Sequence, residues 1–396
     1  MSKLLCRHPL LYLLIAVVLS SAVVYAVMLQ FHAVLPFHRA NYLMNSHHFL
    51  PDPRIDGGPF LFLRALGQYD AQWYLRIAAQ GYPAHPTITT LNNKSVMDGL
   101  SYAFFPLYPL LIGFANIIFG NLELCAFLIA NLLIVLNVCS LYFVIQKQYN
   151  PSIAVKTTLL LFLFPFSIFY RSYFAEGLQL LLLIWFAYFL MQKKMVSAAI
   201  SLGLLNVAKG NAMLINVLYV VYLAQYVYAH RREWPRALLS LCIITVPLLG
   251  WILFNYVQTG DPLYFRTVFG QWDQTPFYLQ ALNNLNVMLH IFRLPFHSFH
   301  YSFVDTSVTI FTLLMIVLSW KHLPPVLWWI SFLLWLTPFI SHDLMSFTRY
   351  GSVSFPLFLF AALLLKNNKL YIPVATICFI SLAALSLFFV NWYWIG

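Results

Sequence analysis

Only 8% of this 396-residue chain is charged, so an ionisable residue outside the basic clusters raises a chemical question. Asp70, in YDAQWYLRIAAQGY at 69–82, is the first. A carboxylate within hydrogen-bond reach of an acceptor hydroxyl can take its proton as the oxygen attacks. Placed ahead of Ala71-Gln72-Trp73, the same residue could instead cap a helix. Glu176 is the second, in FPFSIFYRSYFAEGL at 164–178, where Pro165 and Gly177 bracket a break in the helical pattern. Arg171 shares that break. Glu176 reads either as half of a local Arg171–Glu176 pair closing a hairpin or as a second polar wall of the site containing Asp70. Lys209, in the turn Lys209-Gly210-Asn211, and Arg349, in FTRYGSVSFPLF at 347–358, supply cations. Arginine suits bidentate phosphate contact and lysine acts as a point charge, although either could simply snorkel. Two cations and two carboxylates meeting in one vestibule fit a site for a lipid phosphate and a hydroxyl acceptor, with Arg171, Asn211 and Trp73 as further substrate contacts. Aromatic residues are 18% of the chain, so the tyrosines and Trp73 around Asp70 add little by themselves.

The elements that must position these groups are membrane helices. Hydrophobic residues make up 62% of the chain, and apolar runs long enough to cross a bilayer recur from about 10–34 to 370–391. If the run at 104–119 crossed, Lys147, Lys156, Lys193, Lys194, Arg231, Arg232 and Arg236 would all face outward, against the positive-inside rule. Its two prolines, in AFFPLYPLL at 103–111, make it a poor straight span. With that run laid along the interface, 12 Lys/Arg and one acid, Glu233, are cytoplasmic, while 10 Lys/Arg and 10 acids are outside. The net charge of +11 is then a topology signal that favours anionic headgroups, and it needs no nucleic acid. The expected fold is an all-α polytopic membrane protein of about eleven spans. It has an inner N-terminus, an uncleaved first span and a long extracytoplasmic loop over 35–122. That loop should hold an amphipathic interfacial helix near 60–80, with Trp73 and Tyr74 at headgroup level. The run at 196–208 is too short to span, which places Lys209 below the outer surface, where it needs an anionic partner. The whole of 1–396 reads as one integral-membrane domain.

Several chemistries find no support. The five cysteines, Cys6, Cys125, Cys139, Cys242 and Cys378, lie apart without metal-type spacing. The histidine sets at His47–His48 and His297–His300 match no HExxH or triad pattern. Asn93-Lys94-Ser95 is a formal glycosylation sequon of a kind that arises often by chance. No Gly-rich phosphate loop, GxSxG or DxD occurs. A missing DxD disfavours a nucleotide-sugar enzyme that clamps diphosphate through a divalent ion. A lipid-phosphate donor, leaving with one phosphate, can be handled by Lys209 and Arg349 without metal, so no cofactor is expected.

Taken in order, these segments resemble the PIG-V family, the second mannosyltransferase of GPI-anchor synthesis and its bacterial relatives, within the GT-C membrane glycosyltransferases. YDAQWYLRIAAQGY looks like the family's W-D-x-x-x-Y/F-L-x-I-A-x-x-G-Y element, and AFFPLYPLL is close to its A-F-F-P-L-Y-P segment. FPFSIFYRSYFAEGLQ resembles N-P-x-x-x-F-x-x-x-Y-S-E-S, NVAKGNAML resembles A-x-x-R-S-N-G, and FTRYGSVSFPLF follows the late R-Y/F-x-x-x-x-x-P pattern. The departures are Tyr69 for Trp, Ala175 and Gly177 for Ser, and Lys209-Gly210 for Arg-Ser; charge or polarity survives at each key position. The resemblance implies a GT-C-like fold with juxtamembrane helices in the first outer loop. It also implies a polyprenyl- or dolichyl-phosphate-mannose type donor, a lipid, glycan or protein acceptor, and inversion at the anomeric carbon. Asp70 would then be the base or acceptor-positioning group, Glu176 a wall of the site, and Lys209 with Arg349 the cations for the departing phosphate. The alternatives are a transporter or flippase of a lipid-linked or small polar solute, and a non-catalytic subunit of a glycosyltransferase complex. The chain's modest length and lack of a retention signal point to a bacterial inner membrane, or to the endoplasmic reticulum membrane in a eukaryote.

Overall fold

A computed structural model describes residues 8–46, 49–86, 88–91, 94–269, 276–296 and 301–396, with 88–91 and 94–98 described by backbone alone. Cys6, His47, His48, Asn93, His297 and His300 lie outside the described residues. The first span, α1 (Pro9–Phe31), opens with proline at its first position, where the missing N–H costs nothing. The outer loop then carries α2 (Arg39–Asn45), α3 (Phe62–Leu66), α4 (Asp70–Gln80), an antiparallel hairpin of β1 (Ile88–Leu91) and β2 (Lys94–Met97), and α5 (Leu107–Phe119). The bundle follows as α6 (Leu122–Gln148), α7 (Pro151–Leu163), α8 (Glu176–Met191), α9 (Met195–Asn206), α10 (Ile215–Ala229) and α11 (Trp234–Thr259). After α12 (Tyr264–Phe269) and α13 (Phe277–Leu289) come α14 (Phe303–Ser319), α15 (Pro325–Ser341), α16 (Phe347–Ser352), α17 (Phe355–Leu364) and α18 (Asn368–Val390).

Among the described residues, five helical stretches are long and apolar enough to cross a bilayer, and seven shorter apolar helices accompany them. The protein is an integral membrane protein. Of the shorter helices, α5 starts and ends on the outer side. Its Leu107 N–H donates to the Val207 carbonyl beside Lys209, at 2.9 Å, and its far end turns at Gly120 directly into α6. At the opposite end, Lys156 Nζ donates to the carbonyls of Leu365 and Lys366, so the basic turns gather on one side.

Four bundle helices are short: α7 has 13 residues, α8 16, α9 12 and α17 10. At about 1.5 Å per residue they reach roughly 15–24 Å, against about 30 Å of hydrocarbon. Each has one end at the basic side, so each stops short of the outer surface. Their causes are local. Pro165 holds Phe164 extended and ends α7, at the break that Pro165 and Gly177 bracket in the sequence. The run at 350–365 is likewise divided, with α16 and α17 separated at Val353-Ser354 just before Pro356. The buried core follows the same division. One cluster fills the inner half of the bundle from α6 through α17. A second, aromatic-rich cluster joins the outer loop to the far ends of the short helices and to Phe389–Ile395.

Candidate active site

Each charged group of the site stands where one of these short elements ends. Glu176 is the first residue of α8, where a carboxylate meets the positive end of the helix dipole. Asn137, in the middle of α6, donates to the Gly177 carbonyl at 2.8 Å. The start of α8 therefore lies about 22 Å along α6 from Leu122, well below the outer surface. Lys209 follows α9, whose last turn tightens as Val207 bonds back to Leu204 and Leu205. Paired side-chain amides of Asn206 and Asn216 close the turn to α10. A Cβ at Gly210 would sit 3.0 Å from the Phe105 ring, so any side chain there requires the ring to shift slightly. Arg349 occupies α16, a single turn-and-a-half between α15 and α17. Asp70 opens α4 behind Tyr69, whose φ of 52° is left-handed, an uncommon conformation for a non-glycine residue. That conformation is held by packing: the Tyr69 ring lies 5.1 Å from Trp392 and 4.7 Å from Trp394, and its hydroxyl accepts from Asn41 at 2.8 Å.

Four residues spread over 280 positions of sequence thus form one ion cluster. Arg349 Nη1 donates to Asp70 Oδ2 at 2.7 Å. Its Nε lies 3.2 Å from Glu176 Oε1, and the same Glu176 oxygen accepts from Lys209 Nζ. The side chains of Glu176, Arg349 and Lys209 are 1, 5 and 11% exposed, but that of Asp70 is 32% exposed. Asp70 is the acid that solvent and an acceptor can reach. Burial lowers the Lys209 pKa to about 8 against the pull of Glu176. At Arg349 burial acts in the same direction, but Asp70, Tyr350 and Glu176 outweigh it and hold the guanidinium well above its ordinary value. The Tyr350 hydroxyl accepts from Arg349 Nη2, and the rings of Phe169, Phe174 and Trp394 stand within 6 Å of the guanidinium.

The N-cap position of α4 is Tyr69, so Asp70 is not the cap, and its carboxylate turns to Arg349. Arg171 does not join the cluster and does not form the local pair with Glu176. Its guanidinium points into α1 and α7, donating to Ser20, Ser21, Ser167 and the Phe162 carbonyl. Trp73 and Tyr74, expected at headgroup level, are 0 and 4% exposed. Phe104, in the segment leading into α5, stacks on Trp73 at 5.9 Å and meets Tyr74 edge-on, and Tyr108 of α5 packs on Tyr74 at 5.2 Å. The helix expected near 60–80 is two helices, α3 and α4, separated at Gly67–Tyr69. Asn211 does reach the site, accepting from Gln179 at 2.8 Å. Sequence reasoning overlooked Gln179, Tyr108 and Trp394. The first is three residues beyond Glu176 and so shares its helix face, a signal that was available; the other two are aromatic residues in an aromatic-rich chain.

No protein-family model matches the chain, and no curated protein matches it. Two crystal structures of the Archaeoglobus fulgidus oligosaccharyltransferase are similar to it. One, of the complex with Zn and sulfate, is 14% identical over 82% of this chain and 48% of that one, with a TM-score of 0.43. The other, tethered through a disulfide bond with an acceptor peptide containing the NVT sequon, is 13% identical over 100% of this chain and 56% of that one, with a TM-score of 0.49. The chain spans about half the length of the solved structures it matches.

Proposed function

We propose that this protein is a GT-C-type membrane glycosyltransferase, PIG-V-like in its site. It moves a sugar, mannose by the sequence resemblance, from a polyprenyl- or dolichyl-phosphate donor to a hydroxyl on a lipid, glycan or protein acceptor at the extracytoplasmic face. The observation that carries this reading is the submerged cluster of Asp70, Glu176, Lys209 and Arg349. Burying three charges beside a fourth away from bulk water is expensive, and a fold seldom does so without a use for them. The cluster contains one reachable acid backed by two cations. Asp70 takes the proton of the acceptor hydroxyl as its oxygen attacks the anomeric carbon. The bond from that carbon to the phosphate oxygen breaks on the opposite face, and configuration inverts. The phosphate leaves with the bonding electrons and is met by Arg349 and Lys209. The donor phosphate competes with Asp70 for Arg349, so donor binding frees the base when it is needed. Arg349 also spans the two carboxylates that could otherwise chelate a divalent ion, which supports a metal-independent reaction.

Asp70→Asn keeps shape and removes the base. Sugar transfer from lipid-phosphate donor by the purified protein should fall about 10²–10⁴-fold, the usual worth of general-base catalysis. Chelators should leave the wild type active. Near-normal turnover of Asp70→Asn would sink the assignment, and full inhibition by chelator would put a metal on Asp70 and Glu176 instead.

A further inference from the structure

The wall beyond the ion cluster holds four buried polar atoms that have no hydrogen-bond partner among the described residues: Glu176 Oε2, Gln179 Oε1, Asn211 Nδ2 and Tyr108 Oη. Arg349 Nε, in the ion cluster, is another such atom; of these four, those of Gln179 and Asn211 belong to one bonded amide pair, Glu176 stands one turn before Gln179, and Tyr108 is within electrostatic reach of Glu176. Gln179 lies on the face of α8 that carries Glu176, and its Nε2 is bonded to Asn211 Oδ1 at 2.8 Å. Tyr108 packs edge-on against Tyr74 at 5.2 Å, and burial with the nearby Glu176 charge keeps its hydroxyl protonated. Glu176, Gln179 and Tyr108 are 0% exposed. Buried polar groups ordinarily find partners, so a set of four without them calls for an occupant. Whichever way the two amides point, their mutual bond leaves one donor and one acceptor unused.

The chemistry of that set is selective. A phosphate is repelled by Glu176 Oε2 and by an amide oxygen. A cation is repelled by an amide N–H and by Lys209 and Arg349 alongside. A neutral group carrying several hydroxyls, each able to donate and accept, satisfies all four atoms. We infer that Tyr108, Glu176, Gln179 and Asn211 form the wall that recognises the hydroxyls of the donor's neutral pyranose, next to the two cations that hold its phosphate. This inference rests on the lipid-phosphate-sugar reading above and divides that ligand between two sets of residues.

The test is equilibrium binding of two probes, polyprenyl phosphate and polyprenyl-phosphate-mannose, to the full-length protein in lipid nanodiscs. The wild type should prefer the sugar-bearing probe by about tenfold or more, as expected for several added hydrogen bonds. Gln179→Met and Asn211→Leu, tested singly and together, should abolish that preference while leaving polyprenyl phosphate binding unchanged. Lys209→Met should weaken both probes alike. Thermal stability supplies the readout that a purely structural amide pair would move. The double variant should melt at or above the wild-type temperature, because it removes the amide pair and its unpartnered atoms together, whereas each single variant strands the other amide and should melt lower. Variants that keep the sugar preference, or a wild type that binds both probes equally, overturn the sugar wall but leave the phosphate reading standing. A wild type that binds neither probe overturns both.

Discussion

Arg171 and Arg349 are both buried guanidiniums at the outer end of the bundle, and they keep different company. Arg171 is surrounded by hydroxyls and carbonyls from α1, α7 and the turn between α7 and α8, and its contacts fix the first span to the third. Burial lowers its pKa to about 10, with Tyr25 and Tyr170 opposing the shift. Arg349 is held by two carboxylates on separate elements, and those carboxylates push its proton affinity the other way. A cation with neutral acceptors staples a fold. One held by an acid that is itself partly reachable, as Asp70 is, is exchangeable, because an incoming anion can take that carboxylate's place. The difference lies in the partners, since depth and chemical type are shared.

Truncating each arginine in turn is the harshest way to break that comparison. Arg349→Met should cut sugar transfer by about 10²–10³-fold, the size seen when one donor to a developing anion is removed, with the protein still folded. Arg171→Met should do the reverse. It leaves several buried acceptors without a donor and should cost on the order of 3 kcal/mol of stability, while the protein that does fold turns over normally. Activity per folded molecule, measured beside the melting temperature, separates the two. If Arg349→Met lowered stability and left per-molecule turnover intact, both arginines would be staples.

The pH dependence sharpens the same point through Lys209. With its native pKa lowered to about 8 from an unfolded value of 10.5, the ammonium loses its proton early in the folded protein. Donor use should decline as pH rises through 8, about tenfold per unit once deprotonation dominates. Lys209→Arg, whose guanidinium stays charged, should move that limb out of range. Stability should move oppositely over the same window. Between about 8 and 10.5 the unfolded chain binds more protons than the native one, so native stability rises with pH. A parallel fall of stability and activity above pH 8 would mean that the Lys209–Glu176 pair supports the fold and that its charge has no separate role toward donor.

The four charged residues of the site were legible in the sequence for a thermodynamic reason. In a chain so apolar, a charge away from the cytoplasmic clusters survives only where something offsets its burial. Asp70, Glu176, Lys209 and Arg349 stood out on that ground, and the structure brings them into one cluster. Arg171 met the same criterion and is elsewhere, because the criterion detects compensation of a charge and cannot name the compensating partner. Trp73 failed differently. Tryptophan is common at headgroup depth, but Phe104, in the segment leading into α5, stacks on Trp73 and makes that position core. The break between α16 and α17 was masked because Val353 and Phe355 carry the apolar run across it, so a one-turn segment and a helix read as one. The left-handed Tyr69 left no trace either, since Trp392 and Trp394, which hold it, are over 320 residues away.

Tyr69 gives the mildest test, on how Asp70 is aimed. Its ring and backbone are fixed by Trp392 and Trp394, and its phenol takes a single hydrogen bond from Asn41 Nδ2, which also donates to the Trp392 carbonyl at 2.6 Å. Burial pushes the phenol pKa well up, so it holds its proton and cannot act as a base. Tyr69→Phe keeps the ring packing and the left-handed turn and loses the one bond. The expected cost is ~1 kcal/mol of stability, with turnover held within roughly fivefold, the kinetic equivalent of the same energy. Trp394→Ala should do more, because it removes the ring that cushions Tyr69 and also the one 5.7 Å from the Arg349 guanidinium. The pair therefore separates aim from chemistry. If Tyr69→Phe alone lowered turnover as far as Asp70→Asn does, the phenol would belong to the reacting groups, and Asp70 would be only one of two residues handling the acceptor's proton.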